Sequence, residues 1–128
     1  MIYWNLYKEK MKPYLHAKNS VNKYGGKIED YLPIHDFFDS SKATLADVRH
    51  RALLHSSFGI FLVEKVFGTT ITNSDGKVVC VRDLGEDHVS EDLGFIPTPE
   101  HYLKNMQVQE WMAGSKRKPT KSKFIKID

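Results

Sequence analysis

Residues 35–67, with the sequence HDFFDSSKATLADVRHRALLHSSFGIFLVEKVF, hold the longest apolar run of the chain and three of its six histidines. From about Thr44 to Phe67, apolar side chains recur every three or four residues, which is the period of an amphipathic helix. Residues 35–67 also contain three aspartates. The stretch therefore predicts a long central helix that forms the core and carries a buried polar site.

Shorter patterns surround this segment. Helices are expected over residues 13–24, 30–40, 83–93 and 98–106, because apolar spacing there is followed by glycine or serine stop signals. Residues 73–76, Asn-Ser-Asp-Gly, are a turn signal beside β-rich sequence. We expect a mainly α fold, with four or five helices around one long central helix and a small β-hairpin as a minor β component.

Size and composition fit one compact soluble domain. The chain has 128 residues, enough to bury a core. No apolar run reaches the roughly 18 residues of a membrane span, and the N-terminus lacks the pattern of a secretory signal. Cys80 is the only cysteine, which excludes a disulfide framework and a thiolate zinc cluster. These features favour a cytoplasmic protein with no membrane partner.

The basic charge of the chain is concentrated at its C-terminus. Residues 115–128 contain six basic residues and one aspartate, whereas the other 114 residues hold 13 basic and 15 acidic side chains. We expect an N-terminal extension at 1–12, one compact domain at 13–114 and a basic, disordered tail at 115–128. A solvated tail without a partner is one interpretation. The alternative is contact with a protein partner or, weakly and non-specifically, with nucleic acid, through Lys116, Arg117, Lys118, Lys121 and Lys123.

Histidines and aspartates in the predicted core indicate a metal site, because imidazole and carboxylate groups together suit a divalent ion such as zinc, manganese or iron. The expected ligands are His35, Asp39, His50 and His55, with His16 and His88 as further members. On one ideal helix, His50 and His55 point about 140° apart, so one of them needs another role. The alternative for His55 is a core histidine with a hydrogen-bonded partner.

A catalytic version of this site adds two roles. His55 and Arg51 are the candidate catalytic residues, since a bound metal activates water for hydrolysis and an arginine can hold a phosphate oxygen. A structural ion pair is the alternative role for Arg51. Residues 82–92 are dense in carboxylates and fit a solvated helix face. Their alternative is that His88, with Glu91 or Asp92, closes a site shared with the central helix.

Two resemblances add expectations. His35-Asp36 is similar to the metal-binding pair of the HD phosphohydrolases, although that family's further ligand spacing is not evident. A longer pattern, together with matching residues at 73–77, 81–83, 88 and 91–94, resembles a family of small uncharacterised proteins of tailed phages and bacteria. Its first part comprises His16-Ala17-Lys18, Gly25-Gly26, Asp30-Tyr31, His35, Asp39-Ser40-Ser41-Lys42, Ala46-Asp47, Arg49-His50-Arg51-Ala52 and His55. The resemblance covers about residues 13–103 and implies that these polar residues belong together, but it implies no reaction.

Two functions follow from these expectations. The first is a small phage- or bacteria-type protein, in the host cytoplasm if phage-encoded, with a His/Asp divalent-metal site. The more specific version of this hypothesis is a metal-dependent hydrolase acting on a phosphate-containing substrate. The second is a non-enzymatic interaction protein that binds a host or virion partner, and whose histidines form a structural network.

Overall fold

The computed structural model describes residues 2–115, with side chains from Lys12 onward. This part of the chain forms six α-helices: α1 (Ile2–Tyr24), α2 (Ile28–Asp39), α3 (Arg51–Leu54), α4 (Ser57–Phe67), α5 (Val81–Leu93) and α6 (Pro99–Leu103). A two-stranded antiparallel sheet, β1 (Thr70–Thr72) and β2 (Val78–Cys80), separates α4 from α5 along the chain. Short 3₁₀ helices occur at Ser40–Ala43, Val48–His50 and Glu110–Ala113. The prediction of a mainly helical fold with a small hairpin is confirmed.

The core lies between α1, α2, α4 and α5. Its buried apolar side chains are Ala17, Tyr31, Ile34, Phe38, Ile60, Val63, Val79, Val81, Leu84 and Val89. Gly85 sits where α5 passes α2, and a Cβ there would lie 3.1 Å from the ring of Phe38. The missing side chain therefore allows a close approach that brings His88, one turn later, to the face of α2.

The long central helix predicted over residues 44–67 is not formed. The chain instead passes through a 3₁₀ turn and α3, leaves the helical conformation at His55 and Ser56, and begins again as α4. The Ser56 hydroxyl accepts from the backbone N–H groups of Phe58 and Gly59 at 3.2 and 3.3 Å, so it caps the new helix. The bend is so tight that a Cβ on Gly59 would overlap the carbonyl oxygen of Leu54.

The β-hairpin is fixed to the α1–α2 corner by Asn73, which is buried. Its side-chain oxygen accepts from the N–H groups of Asp75 and Lys77, and its amide donates to the carbonyl oxygen of Tyr24 and the hydroxyl oxygen of Tyr31. Because α5 begins directly after β2, this attachment also sets which face of α5 points into the core.

The ends of the chain differ from expectation in two respects. Helix α1 begins at Ile2 and not near the predicted start at residue 13, while the division into an extension and a domain stays a prediction. The last helix, α6, is shorter than the predicted 98–106. Within residues 2–115, no helix combines the length and the hydrophobicity that crossing a membrane requires. The predicted partner contacts of the tail lie outside the described residues: Lys116, Arg117, Lys118, Lys121 and Lys123.

Candidate metal centre

Four side chains from three segments converge on one point: Asp39 at the end of α2, His55 directly after α3, and His88 and Asp92 one turn apart on α5. They are named the quartet here, and one ligand atom from each lies within 4.8 Å of all the others. Nε2 of His55 is 2.9 Å from Oδ2 of Asp92 and 3.7 Å from Oδ1 of Asp39. Nε2 of His88 is 3.4 and 3.8 Å from the same two oxygens.

The quartet has the dimensions of a metal site. Bonds of about 2.0–2.2 Å in a tetrahedron place neighbouring ligand atoms about 3.4 Å apart, and the four measured separations of 2.9 to 3.8 Å lie on both sides of that value. The imidazoles are fully buried and the carboxylates nearly so. Among the described residues, the buried side-chain atoms without a hydrogen-bond partner are Oδ2 of Asp39, Nδ1 of His55 and Nε2 of His88. All three belong to residues of the quartet, and Nε2 of His88 is the one that faces the carboxylates of Asp39 and Asp92.

A chain of hydrogen bonds links the tautomer of His88 to that of His35. The Ser20 hydroxyl donates to the carbonyl oxygen of His16 at 3.1 Å, so it accepts from Nε2–H of His35 at 2.8 Å. His35 is neutral, because burial lowers its pKa to about 2, and its Nδ1 is left as an acceptor. In this arrangement His88 donates Nδ1–H to His35 at 2.9 Å, and its Nε2 carries a lone pair that faces the two carboxylates. The reverse arrangement, in which the Ser20 hydroxyl donates to His35, places the proton of His88 on Nε2.

His16 is a charged partner of the site. Its Nδ1 lies 2.6 Å from Oε1 of Glu91, and its Nε2 lies 3.1 Å from Oδ1 of Asp92. Burial alone would lower the pKa of His16, but the hydrogen bonds to Asp92 and Glu91 outweigh it and raise the pKa to about 9. Both ring nitrogens thus donate to carboxylates. His16 holds the outer oxygen of Asp92 while the inner oxygen faces the quartet.

The quartet carries two negative charges. Burial acts to raise the pKa of Asp92, but hydrogen bonds from His16 and His55 outweigh it and hold the pKa far below its usual value. Burial likewise opposes ionisation of Asp39, and the neighbouring His88, Lys42 and His55 outweigh it and lower its pKa. Two ionised carboxylates in a buried site require positive charge nearby, which protons on the quartet imidazoles or a metal ion can supply.

A family profile described as a domain of unknown function, DUF6915, matches residues 11–112. The chain belongs to this family. Searches of the curated proteins and of the solved structures gave no match. The resemblance to an uncharacterised family is confirmed, whereas its phage or bacterial origin stays a prediction.

The DUF6915 domain divides the predicted ligands among three places. Asp39, His55 and His88 are in the quartet. His16 and His35 also lie close to His88, with three ring nitrogens within 4.8 Å of one another. The ring nitrogens of His16 bond to Glu91 and Asp92, and those of His35 bond to Ser20 and to Nδ1 of His88. His50 stands outside both groups: its Nδ1 is 2.8 Å from the Ser41 hydroxyl, and its ring centre is 5.5 Å from that of His55.

The remaining residues to place in the DUF6915 domain are Asp36, Arg51, Asp92 and Tyr102. Asp36 is exposed, so a His35-Asp36 metal pair of the HD type is not formed. Arg51 is half-buried and lines a small cavity next to His50. Asp92, expected only as an alternative partner of His88, is the fourth member of the quartet; its signal was the spacing of four from His88. Tyr102 had no signal, although its hydroxyl donates to the carbonyl oxygen of His55 at 2.7 Å and fixes the end of α3.

Proposed function

We propose that this protein binds one divalent metal ion at the quartet and uses it to hydrolyse a phosphate-containing substrate. The observation that supports metal binding most strongly is the unpartnered Nε2 of His88, which faces Asp39 and Asp92. A lone pair opposite two carboxylates is repulsive, and a cation between them removes the repulsion. Oxygen and nitrogen donors in equal number suit zinc, manganese or iron.

The surrounding residues support the site in distinct ways. Metal-bound histidines usually donate their other ring N–H to a neighbouring acceptor, and His88 does so to His35. Phe38 stacks on His88 with ring centres 4.8 Å apart and shields it from water. A bound metal would lower the pKa of a coordinated water molecule and so supply hydroxide for hydrolysis. Four protein ligands complete a zinc tetrahedron, so we expect hydrolysis with manganese or iron, which accept further ligands.

Other contacts support a second candidate function. His16, His35 and His50 all have hydrogen-bond partners, as a purely structural network requires, and His88 would then carry a proton on Nε2 in place of a metal. Trp111 and Val108 are 73% and 78% exposed, which suits contact with a partner. In that case the protein is a non-enzymatic interaction protein, and Trp111→Ala is expected to weaken partner binding.

Metal analysis of the purified chain separates the two functions. We expect about one manganese, iron or zinc ion per wild-type chain and none in Asp39→Asn. Asp36→Asn is the matched control, because Asp36 lies three residues earlier on the same helix but is exposed. Equal metal content in both variants, or none in the wild type after incubation with each ion, contradicts the metal site. Turnover of generic phosphoesters by the loaded wild type then separates a hydrolase from a structural metal protein.

A further inference from the structure

A small cavity lies beside the quartet, with a volume of about 50 Å³. Three basic side chains, Lys12, Lys42 and Arg51, contribute to its wall, together with His50 and Asp47. Neither metal ligation nor the hydrogen-bond network around His88 uses these basic groups. The cavity is therefore a separate feature that needs its own account.

Two residues of the cavity wall contact residues of the quartet. Nζ of Lys12 lies 3.7 Å from Oδ1 of Asp92, and the ring of His50 packs edge-on against that of His55. A group bound in the cavity would thus be one side chain away from the quartet.

The charge of the cavity is positive. Its carboxylate, Asp47, already pairs with the guanidinium of Arg49 at 2.8 and 3.1 Å. Among the described residues, no ion pair engages Lys42 or Arg51. Burial lowers the pKa of the neighbouring His50 to about 4, and the charges of Lys42 and Arg51 contribute to that shift. Two half-buried cations without a counter-ion favour the binding of an anion in the cavity.

We propose that this cavity binds the terminal phosphoryl group of a phosphomonoester, next to the metal of the quartet. The inference rests on the proposed function, whose substrate class it narrows. Pockets for whole small molecules span about 300–1,000 Å³, so this cavity admits one end group only. A phosphomonoester ends in a dianion that matches the two free cations, and arginine binds such oxygens in pairs. A diester carries one charge and a substituent on each side of the phosphorus.

The test is calorimetric titration of inorganic phosphate into the metal-loaded full chain. Hydrogen bonds to charged groups are strong enough that each lost cation should weaken binding about tenfold or more. We expect Lys42→Ala and Arg51→Ala each to raise the Kd for phosphate by that factor, with metal affinity unchanged within about twofold. Lys65→Ala is the control, since Lys65 lies over the ring of Phe61 on the outer side of α4. Metal-loaded wild type should hydrolyse p-nitrophenyl phosphate faster than bis-p-nitrophenyl phosphate.

The outcomes separate the two proposals. If the chain binds metal normally, three results overturn the cavity assignment and leave the metal site intact. Phosphate does not bind, phosphate binds all variants equally, or a diester is the preferred substrate. A wild type that binds no metal overturns the proposed function. In that case phosphate binding by the metal-free chain, lost in Lys42→Ala, still supports the cavity, and its absence overturns it. Should Arg51→Ala fail to fold, as judged by circular dichroism, Lys42→Glu replaces it.

Discussion

At the scale of single residues, the metal hypothesis depends on His88. Its Nδ1 donates to His35 at 2.9 Å, which leaves Nε2 as a lone pair 3.4 and 3.8 Å from two carboxylate oxygens. Without His35 the proton of His88 could move to Nε2 and bind a carboxylate directly. His35 therefore acts as a positioning residue, which favours the tautomer that a metal needs.

Replacing His35 tests this role. We expect His35→Ala to weaken manganese binding about 10- to 100-fold, the usual effect of losing a partner that orients a metal ligand, as measured by isothermal titration. His50→Ala removes an equally buried histidine that bonds to Ser41 instead, and it should leave the affinity within about twofold. Nitrogen-15 NMR of the metal-free wild type should show the His88 proton on Nδ1 alone. Similar affinity losses in both variants would make His35 a general packing residue.

The residues of the site were only partly visible in the sequence. His88 and Asp92 share a helix face through a spacing of four, as do His35 and Asp39, so their candidacy follows from local pattern. The contacts of His35 with His88 and of His16 with Glu91 join positions 53 and 75 residues apart. They arise from how α1, α2 and α5 pack, which spacing along one helix does not reveal.

At the scale of elements, the break between α3 and α4 decides the site. The apolar spacing of three and four continues across it, because both short helices turn an apolar face to the same core, and a continuous helix was therefore predicted. Ser56 is the residue that indicates the start of a new helix, since serine is a preferred helix N-cap. The break turns His55 out of the helical path and toward Asp39 and Asp92.

Gly59 tests the importance of this bend. Because a Cβ there would overlap the Leu54 carbonyl oxygen, we expect Gly59→Ala to lower the free energy of unfolding by more than about 3 kcal/mol in urea denaturation. Gly76→Ala is the contrasting variant: a Cβ at Gly76 meets nothing within 4 Å, and the positive φ of 81° alone is unfavourable, by about 1–2 kcal/mol. Equal destabilisation of the two variants would show that the bend is not tightly packed.

At the scale of the whole molecule, the quartet joins α2, α3 and α5 through one point. These segments are already packed by an apolar core, so the metal is expected to add stability to a folded domain. A ligand that binds only the native state stabilises it by about 2.7 kcal/mol when the free ligand concentration is 100 times the Kd.

Thermal unfolding measures this coupling. Saturating manganese or zinc should raise the Tm of the wild type by roughly 10 °C, given that a domain of this size shifts by a few degrees per kcal/mol, and a chelator should reverse the shift. Asp39→Asn should show no metal-dependent shift, whereas Asp36→Asn should behave like the wild type. A wild-type Tm that is the same with metal and with chelator would argue against a bound ion.

The helical class, the hairpin and α5 followed from the sequence because each has a strong local signal: periodic apolar residues, an Asn-Ser-Asp-Gly turn and a glycine after Leu93. The cavity with Lys12 and Lys42 did not, because these lysines belong to different helical segments and meet only when α1 packs across the end of α2. Charge placement of this kind is a product of tertiary structure.

The most direct test of the metal site is an anomalous-scattering crystal structure of the wild-type chain, loaded with manganese, iron or zinc and recorded at that metal's absorption edge. The account predicts one peak about 2.0–2.2 Å from Nε2 of His55, Nε2 of His88 and a carboxylate oxygen of both Asp39 and Asp92. No peak inside the quartet, together with a direct hydrogen bond from Nε2–H of His88 to a carboxylate, would contradict it.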